Sequence, residues 1–273
     1  MSPFQGLRNQ EQGMNFKRER IDLKGSQVEI ISIQTNEQNS FTRAALLEFR
    51  ALMDELRDDR SVKAVAFASE NEKFFSNGVD AATIATTPSE HLAEEMGEIV
   101  KFFGHLLQFY KPLVCEISGH AMGGGAVIAL ACDFRFMLNQ KGRVSFTEVF
   151  FGLPLPGVFI DKLKYTVSPS HLNDMVYGET YKAQEALSAG FVNAIADSRE
   201  DLRKLTMRKL EALTRIPSSA FIHTKASLLH ETVSRIEFHA KATDKNFSDP
   251  TIRGNLMEAM KSFTEGRRPK FSD

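Results

Sequence analysis

Apolar positions along the chain follow two rhythms. In the first two-thirds, short β-branched runs alternate with helical spacing. Val28 to Ile33 (VEIISI) reads as a strand between Gly25 and Asn36. From Thr42 to Arg57, residues Leu46, Leu47, Phe49, Leu52, Met53 and Leu56 recur at helical spacing. Val62 to Ala68 predicts a buried strand, followed by a loop from Ser69 to Asp80. Thr87-Pro88-Ser89-Glu90 has the cap, the first-turn proline and the glutamate of a helix start, which predicts a helix to about Tyr110. Leu113 to Ser118 is a third strand, Gly124 to Ala131 opens a small-residue helix, and Phe134 to Leu138 and Arg143 to Phe146 are further short strands. Beyond about Glu179 the rhythm is helical. Ser198 caps a helix to about Arg215, Pro217 opens a long helical stretch, and Asp249-Pro250 opens a last one. The pattern predicts an α/β core with parallel strands joined by helices, then a helical block that docks on a neighbour. The boundaries are a tail over 1–14, a core over 15–197 and a helical region over 198–273.

Composition narrows the function. A formal charge of -1 over 273 residues supplies no field to recruit nucleic acid or an anionic membrane. The two cysteines, Cys115 and Cys132, lie in apolar runs and read as reduced, buried residues of a cytoplasmic protein. Apolar runs are too short to span a bilayer, and the first residues lack a signal-peptide hydrophobic stretch. The histidines have no metal-ligand spacing, so no metal and no separate cofactor are expected.

Candidate chemistry lies in two glycine-bearing segments, Asn77-Gly78-Val79-Asp80 and Gly119-His120-Ala121-Met122-Gly123-Gly124-Gly125. Each follows a buried strand and leads into a helix, where backbone N–H groups lack partners and feel the positive end of the helix dipole. Aimed at one point, two such groups form an oxyanion hole. Taken singly, Asn77-Gly78 also fits an ordinary turn, and the triple glycine also fits close helix–strand packing. The spacing matches neither a dinucleotide fingerprint nor a P-loop.

The order and spacing of these and later segments resemble the enoyl-CoA hydratase/isomerase (crotonase) superfamily from about Phe16 to Phe271. Lys73-Phe74-Phe75-Ser76-Asn77-Gly78-Val79-Asp80 looks like the first oxyanion segment, and Lys111-Pro112-Leu113-Val114 leads to the second. Ala131-Cys132-Asp133-Phe134-Arg135, then Ser145-Phe146-Thr147-Glu148-Val149-Phe150-Phe151-Gly152, then Tyr181 to Leu187 with Gly190-Phe191-Val192 follow in family order.

The resemblance implies a crotonase/ClpP-like spiral of ββα units, a C-terminal helical trimerisation region, a homotrimer or hexamer, and an acyl-CoA substrate. It implies N–H donors at Val79 and Gly124 holding the thioester carbonyl, with Phe75, Asn77, Gly78, Asp80, Gly123, Val127 and Phe151 around the substrate. Hydratases of the family usually carry two glutamates. The first position is Val127 here; the second is matched by Glu148. An acid near Leu155 or Pro156, as in another isomerase branch, is absent. One carboxylate therefore remains, in an apolar surround of Val127, Val149, Phe150 and Phe151 that raises its pKa. Thr147-Glu148 resembles the Asn-Glu of mitochondrial-type Δ3,Δ2-enoyl-CoA isomerases. After Gly152, Leu153-Pro154-Leu155-Pro156-Gly157 replaces the usual glycine-rich turn.

The CoA phosphates call for cations. Lys73 is one candidate; the last helix of a neighbouring subunit offers Arg267 and Arg268, with Gly266 where the family usually has lysine. Glu116 and His120 read as structural. The expected reaction is isomerisation of 3-enoyl-CoA to 2-enoyl-CoA. Hydratase-like, hydrolytic or decarboxylating one-glutamate chemistry, or non-catalytic acyl-CoA binding, are the alternatives.

Overall fold

A computed structural model describes residues 15–139 and 142–272. The expected tail over 1–14 lies outside the described residues. The chain opens with a hairpin, β1 (Phe16–Leu23) and β2 (Ser26–Ile33), then α1 (Arg43–Asp58), whose N-cap Thr42 accepts the Ala45 N–H at 3.2 Å. Two strand–strand–helix units follow: β3 (Val62–Ser69), β4 (Phe74–Ser76), α2 (Ala81–Thr86) and α3 (Leu92–Leu107); then β5 (Leu113–Ile117), β6 (His120–Met122) and α4 (Gly124–Ala131). The third comprises β7 (Phe134–Leu138), β8 (Arg143–Ser145), a 3-10 turn over Glu148–Phe151, α5 (Gly157–Lys164) and α6 (Pro169–Val176). After β9 (Tyr181–Lys182), α7 (Ala183–Ser188) and β10 (Ala194–Ala196), the chain is helical: α8 (Arg199–Thr214), α9 (Ser218–Ser234), α10 (Ile236–Ser248) and α11 (Pro250–Thr264).

In each unit the first strand joins a six-stranded sheet, ordered β1-β2-β3-β5-β7-β10 and parallel except for β1, and the second joins a four-stranded sheet, ordered β4-β6-β8-β9. This is the expected spiral of ββα units. The larger sheet is covered on both faces. Ile31, Ile33, Val65, Phe67, Cys115 and Met137 pack toward α1, α3 and α4, while Val28, Ile30, Ala64, Ala66 and Val114 pack toward Leu202, Leu210 and Leu213 of α8. Burial on both faces is why these strands read as continuous apolar runs.

Several expectations are corrected. β1 escaped the hydrophobic pattern because it is an edge strand whose middle residues face water; Arg18 and Arg20 converge on Glu29, which is buried in β2. The expected helix start at Thr87 is instead the C-cap of α2, and α3 begins at Leu92 without a side-chain cap. Leu92 is fully buried and is the first residue there that packing can hold. α2 itself was not foreseen. Its cap is Asp80, which accepts the Thr83 N–H at 2.8 Å. The C-terminal block makes contacts with its own chain that the sequence did not indicate. Phe247 of α10 and Leu256 and Met260 of α11 form a third apolar cluster with Ile84 of α2, Leu92 and Met96 of α3, and Leu153. Among the described residues no helix is long and apolar enough to cross a membrane.

Candidate active site

The two glycine segments meet at the ends of β4 and β6. Beyond β4, Gly78 takes φ +81°, a left-handed conformation open to glycine. Its N–H donates to Ser76 Oγ at 3.1 Å, and Ser76 Oγ donates to the Asn39 carbonyl at 2.7 Å. Phe41 pairs across the next residue: its N–H donates to the Gly78 carbonyl at 2.7 Å and its carbonyl accepts the Asp80 N–H at 2.9 Å. This pairing skips Val79. Beyond β6, Gly123 takes φ +49° and donates to the Ser145 carbonyl at 2.9 Å, and α4 begins at Gly124. Among the described residues neither the Val79 nor the Gly124 N–H has a hydrogen-bond acceptor.

The two turns touch. A Cβ on Gly78 would lie 2.7 Å from Gly124 N and 2.9 Å from the Met122 carbonyl oxygen. A Cβ on Gly125 would lie 2.2 Å from the Ser76 carbonyl oxygen, so α4 can seat against β4 only with glycine there. Close packing and donor presentation, alternatives in the sequence, are one arrangement here.

A cavity of about 160 Å³ opens in front of these turns. Asn77, Val79, Gly123, Gly124, Thr147 and Glu148 line its chemical end. Asn77 is committed elsewhere, donating from Nδ2 to Gln38 Oε1 at 2.8 Å. The remaining wall is largely apolar. α3 supplies Met96, Ile99 and Val100; α5 supplies Phe159; α10 and α11 supply Phe247, Met260 and Phe263.

Glu148 starts the 3-10 turn that Gly152 ends at φ +71°. Its Oε1 lies 3.9 Å, and Thr147 Oγ1 3.0 Å, from the point a Cβ on Gly123 would occupy. Part of the residue is open to the cavity, yet Oε2 is buried with no hydrogen-bond partner. Burial raises its pKa to about 7, against a small opposing effect of its own backbone N–H. The raised pKa matches expectation, but the surround does not. Of the four apolar neighbours named from sequence, only Phe151 lines the cavity, and Phe150 is 60% exposed. The walls from α3, α10 and α11 were missed, because no local pattern says which helix face a distant segment will cover.

Other expected substrate contacts are also redistributed. Val127 is buried in the main core, behind the cavity wall. It sits one turn into α4, its N–H on the Gly123 carbonyl at 3.0 Å, and the helix turns its side chain into the protein. Phe75 is fully buried in the same core. Lys73 lies outside the cavity, its ammonium 5.1 Å from the centre of the Phe74 ring. Gly78 supports the donors from behind. Asp80 caps α2 and accepts from Ser40 Oγ at 2.8 Å. Arg267 is paired with Glu258 at 2.6 Å and Glu265 at 2.6 Å of its own chain. Glu116 has a structural partner, Arg203, at 2.9 Å. Among the described residues no group of three or more His, Cys, Asp and Glu could hold a metal ion.

The profile of the enoyl-CoA hydratase/isomerase family matches residues 24–273. The chain belongs to the enoyl-CoA hydratase/isomerase family. It is similar to the mouse protein named enoyl-CoA delta isomerase 1, mitochondrial, with 24% identity over 93% of this chain and 89% of the relative. It is also similar to a putative enoyl-CoA hydratase of Thermus thermophilus, with 26% identity over 92% of this chain and all of the relative. Among solved structures, human mitochondrial delta3-delta2-enoyl-CoA isomerase superposes with a TM-score of 0.84 at 22% identity, covering 92% of this chain and 99% of that one, a likeness of fold. Within the enoyl-CoA hydratase/isomerase family, then, this chain is an isomerase- or hydratase-like enzyme.

Proposed function

We infer that the protein isomerises 3-enoyl-CoA to 2-enoyl-CoA with Glu148 as the sole base. The observation that carries this reading is a single cavity carboxylate with an unpartnered buried oxygen, beside two unoccupied N–H donors. Glu148 removes a proton from C2. The electron pair moves onto the thioester oxygen, which rests on the Val79 and Gly124 N–H groups; one such donor typically contributes about 2.7–4 kcal/mol to a transition state. The dienolate then collapses, the double bond moves from C3–C4 to C2–C3, and Glu148 returns the proton to C4. An apolar wall excludes the water that would quench this shuttle. Two-carboxylate hydration is disfavoured, since the position of a second acid is held by Val127 in the core.

Replacing Glu148 by Gln keeps shape and removes the base. Turnover of 3-enoyl-CoA is expected to fall at least about a hundredfold with acyl-thioester binding retained. A smaller fall rejects the mechanism. A wild type that binds acyl-CoA but turns over no enoyl-CoA favours a binding role.

A further inference from the structure

β3 and β5 lead through β4 and β6 to the turns that carry Val79 and Gly124. At the opposite, starting ends of β3 and β5 a second hollow opens, of about 240 Å³. Val62 and Pro112 line it at the strand starts, Leu213 and Ile216 at and just beyond the end of α8, and Phe221 and Ile222 at the start of α9. Three cations stand in the same wall, Arg60, Lys63 and Lys111, and among the described residues no carboxylate does. None of these residues lines the cavity at Glu148.

Lys111 is the informative one. It is 7% exposed, and its ammonium donates to the Leu56 carbonyl and, at 2.6 Å, to the Asp59 carbonyl. Neither acceptor carries a charge. An ammonium has three donors, so one remains, with the centre of the Tyr110 ring 5.8 Å away. Burial, above all, holds the Lys111 pKa below the usual lysine value; Lys63 and Arg20 add to the fall, and Asp59 and Asp58 oppose it. Those two carboxylates are engaged elsewhere, Asp59 with Arg20 at 2.9 Å and Asp58 with Arg57 at 3.4 Å. Arg60 and Lys63 are exposed and, among the described residues, have no ion pair and no side-chain hydrogen bond. A buried cation without a counter-ion is unfavourable, and an anion brought to it offsets that cost. The wall around these charges is apolar, so an inorganic anion would leave most of it wet, and a neutral apolar molecule would leave the cations unpaired. Pockets for drug-sized ligands run to about 300–1,000 Å³, so this one suits a body of a few carbons.

We propose that this hollow is a second ligand site, separate from the cavity at Glu148, and that it binds a small amphipathic carboxylate. The alkyl body lies against Pro112, Ile216 and Phe221, and the carboxylate sits among Arg60, Lys63 and Lys111. The guanidinium of Arg60 offers a carboxylate two parallel donors, and Lys111 offers its remaining one. This assignment does not rest on the isomerase reading, since it uses no residue of the cavity at Glu148.

Calorimetry on the intact protein with octanoate tests it. Octanoate is expected to bind with a dissociation constant below about 1 mM, and 1-octanol and inorganic phosphate at least about tenfold more weakly. Equal binding of 1-octanol overturns the part of the cations, equal binding of phosphate overturns the part of the apolar wall, and no binding of octanoate overturns the whole. Arg60→Glu combined with Lys63→Glu changes two exposed side chains with no partner to lose, so the melting temperature without ligand is expected to hold while octanoate binding falls at least about tenfold. Unchanged affinity in that variant puts octanoate elsewhere, the cavity at Glu148 included, and overturns the proposal. Ile216→Glu, at a position 41% exposed, tests the apolar wall independently should the double variant fail to fold. It is expected to weaken octanoate as well, and retained affinity overturns the proposal. Because binding needs no turnover, a failed isomerase assay leaves these outcomes readable.

Discussion

At Glu148 the burial that makes the carboxylate a better base also weighs against the fold once the group ionises. Its folded pKa, about 7, lies above the ordinary glutamate value of 4.5. Below the lower value both folded and unfolded chains hold the proton and stability is unaffected. Between the two, the unfolded chain ionises first, so stability falls as pH rises; above about 7 the cost is complete, on the order of 3 kcal/mol. Glu148→Gln is therefore expected to raise the melting temperature at pH ~8 and leave it unchanged at pH ~4. Activity runs the other way. The base must be ionised, so kcat/KM for 3-enoyl-CoA is expected to rise with pH and level off above a midpoint near 7, measured with the free enzyme's acid limb. Gly78→Ala puts a Cβ 2.7 Å from Gly124 N and is expected to cost about 10²–10³-fold in kcat, the loss of one donor. Legibility at this scale depended on where the chemistry lives. Gly78, Gly123 and Glu148 could be read because torsional freedom and a carboxylate are properties of the residue itself. The places of Val127, Phe75 and Lys73 could not, because the direction of a side chain depends on what the backbone around it packs against.

Among the elements, α2 shows how little sequence a functional turn needs. Six residues with one buried apolar side chain, Ile84, make no periodic signal. They are held by Asp80, whose carboxylate joins the cap at Thr83 to Ser40 on the facing loop. Asp80→Ala is expected to cost about 1 kcal/mol, as the loss of an N-cap does, and to loosen the adjacent Val79 donor, seen as a lowered melting temperature together with a raised KM. Strands buried on both faces were legible as apolar runs, and α4 was legible from its small residues to the residue. β1 was not, since its charged side chains pair with Glu29 at an edge where no hydrophobic face is required. The start of α3 was misread because Thr87-Pro88 ends one helix as readily as it begins the next; burial of Leu92 decides between them.

For the whole molecule, the cavity at Glu148 lies between the main core and the smaller cluster that α2, α3, α10 and α11 share. Neither layer flanking the large sheet contains a residue of α11. Truncation after Asp249 is expected to keep far-UV circular dichroism of the core while abolishing turnover, because Met260 and Phe263 leave the cavity wall. The spiral was legible from its alternating pattern and motif order; the return of the last helix onto its own chain was not, since an amphipathic helix does not name its partner. That return has a consequence for synthesis. Val79, Gly124 and Glu148 are translated first, and the cavity wall is complete only when Phe263 has left the ribosome. A nascent chain therefore holds all three groups for more than a hundred residues before the last side chain of their cavity wall is made.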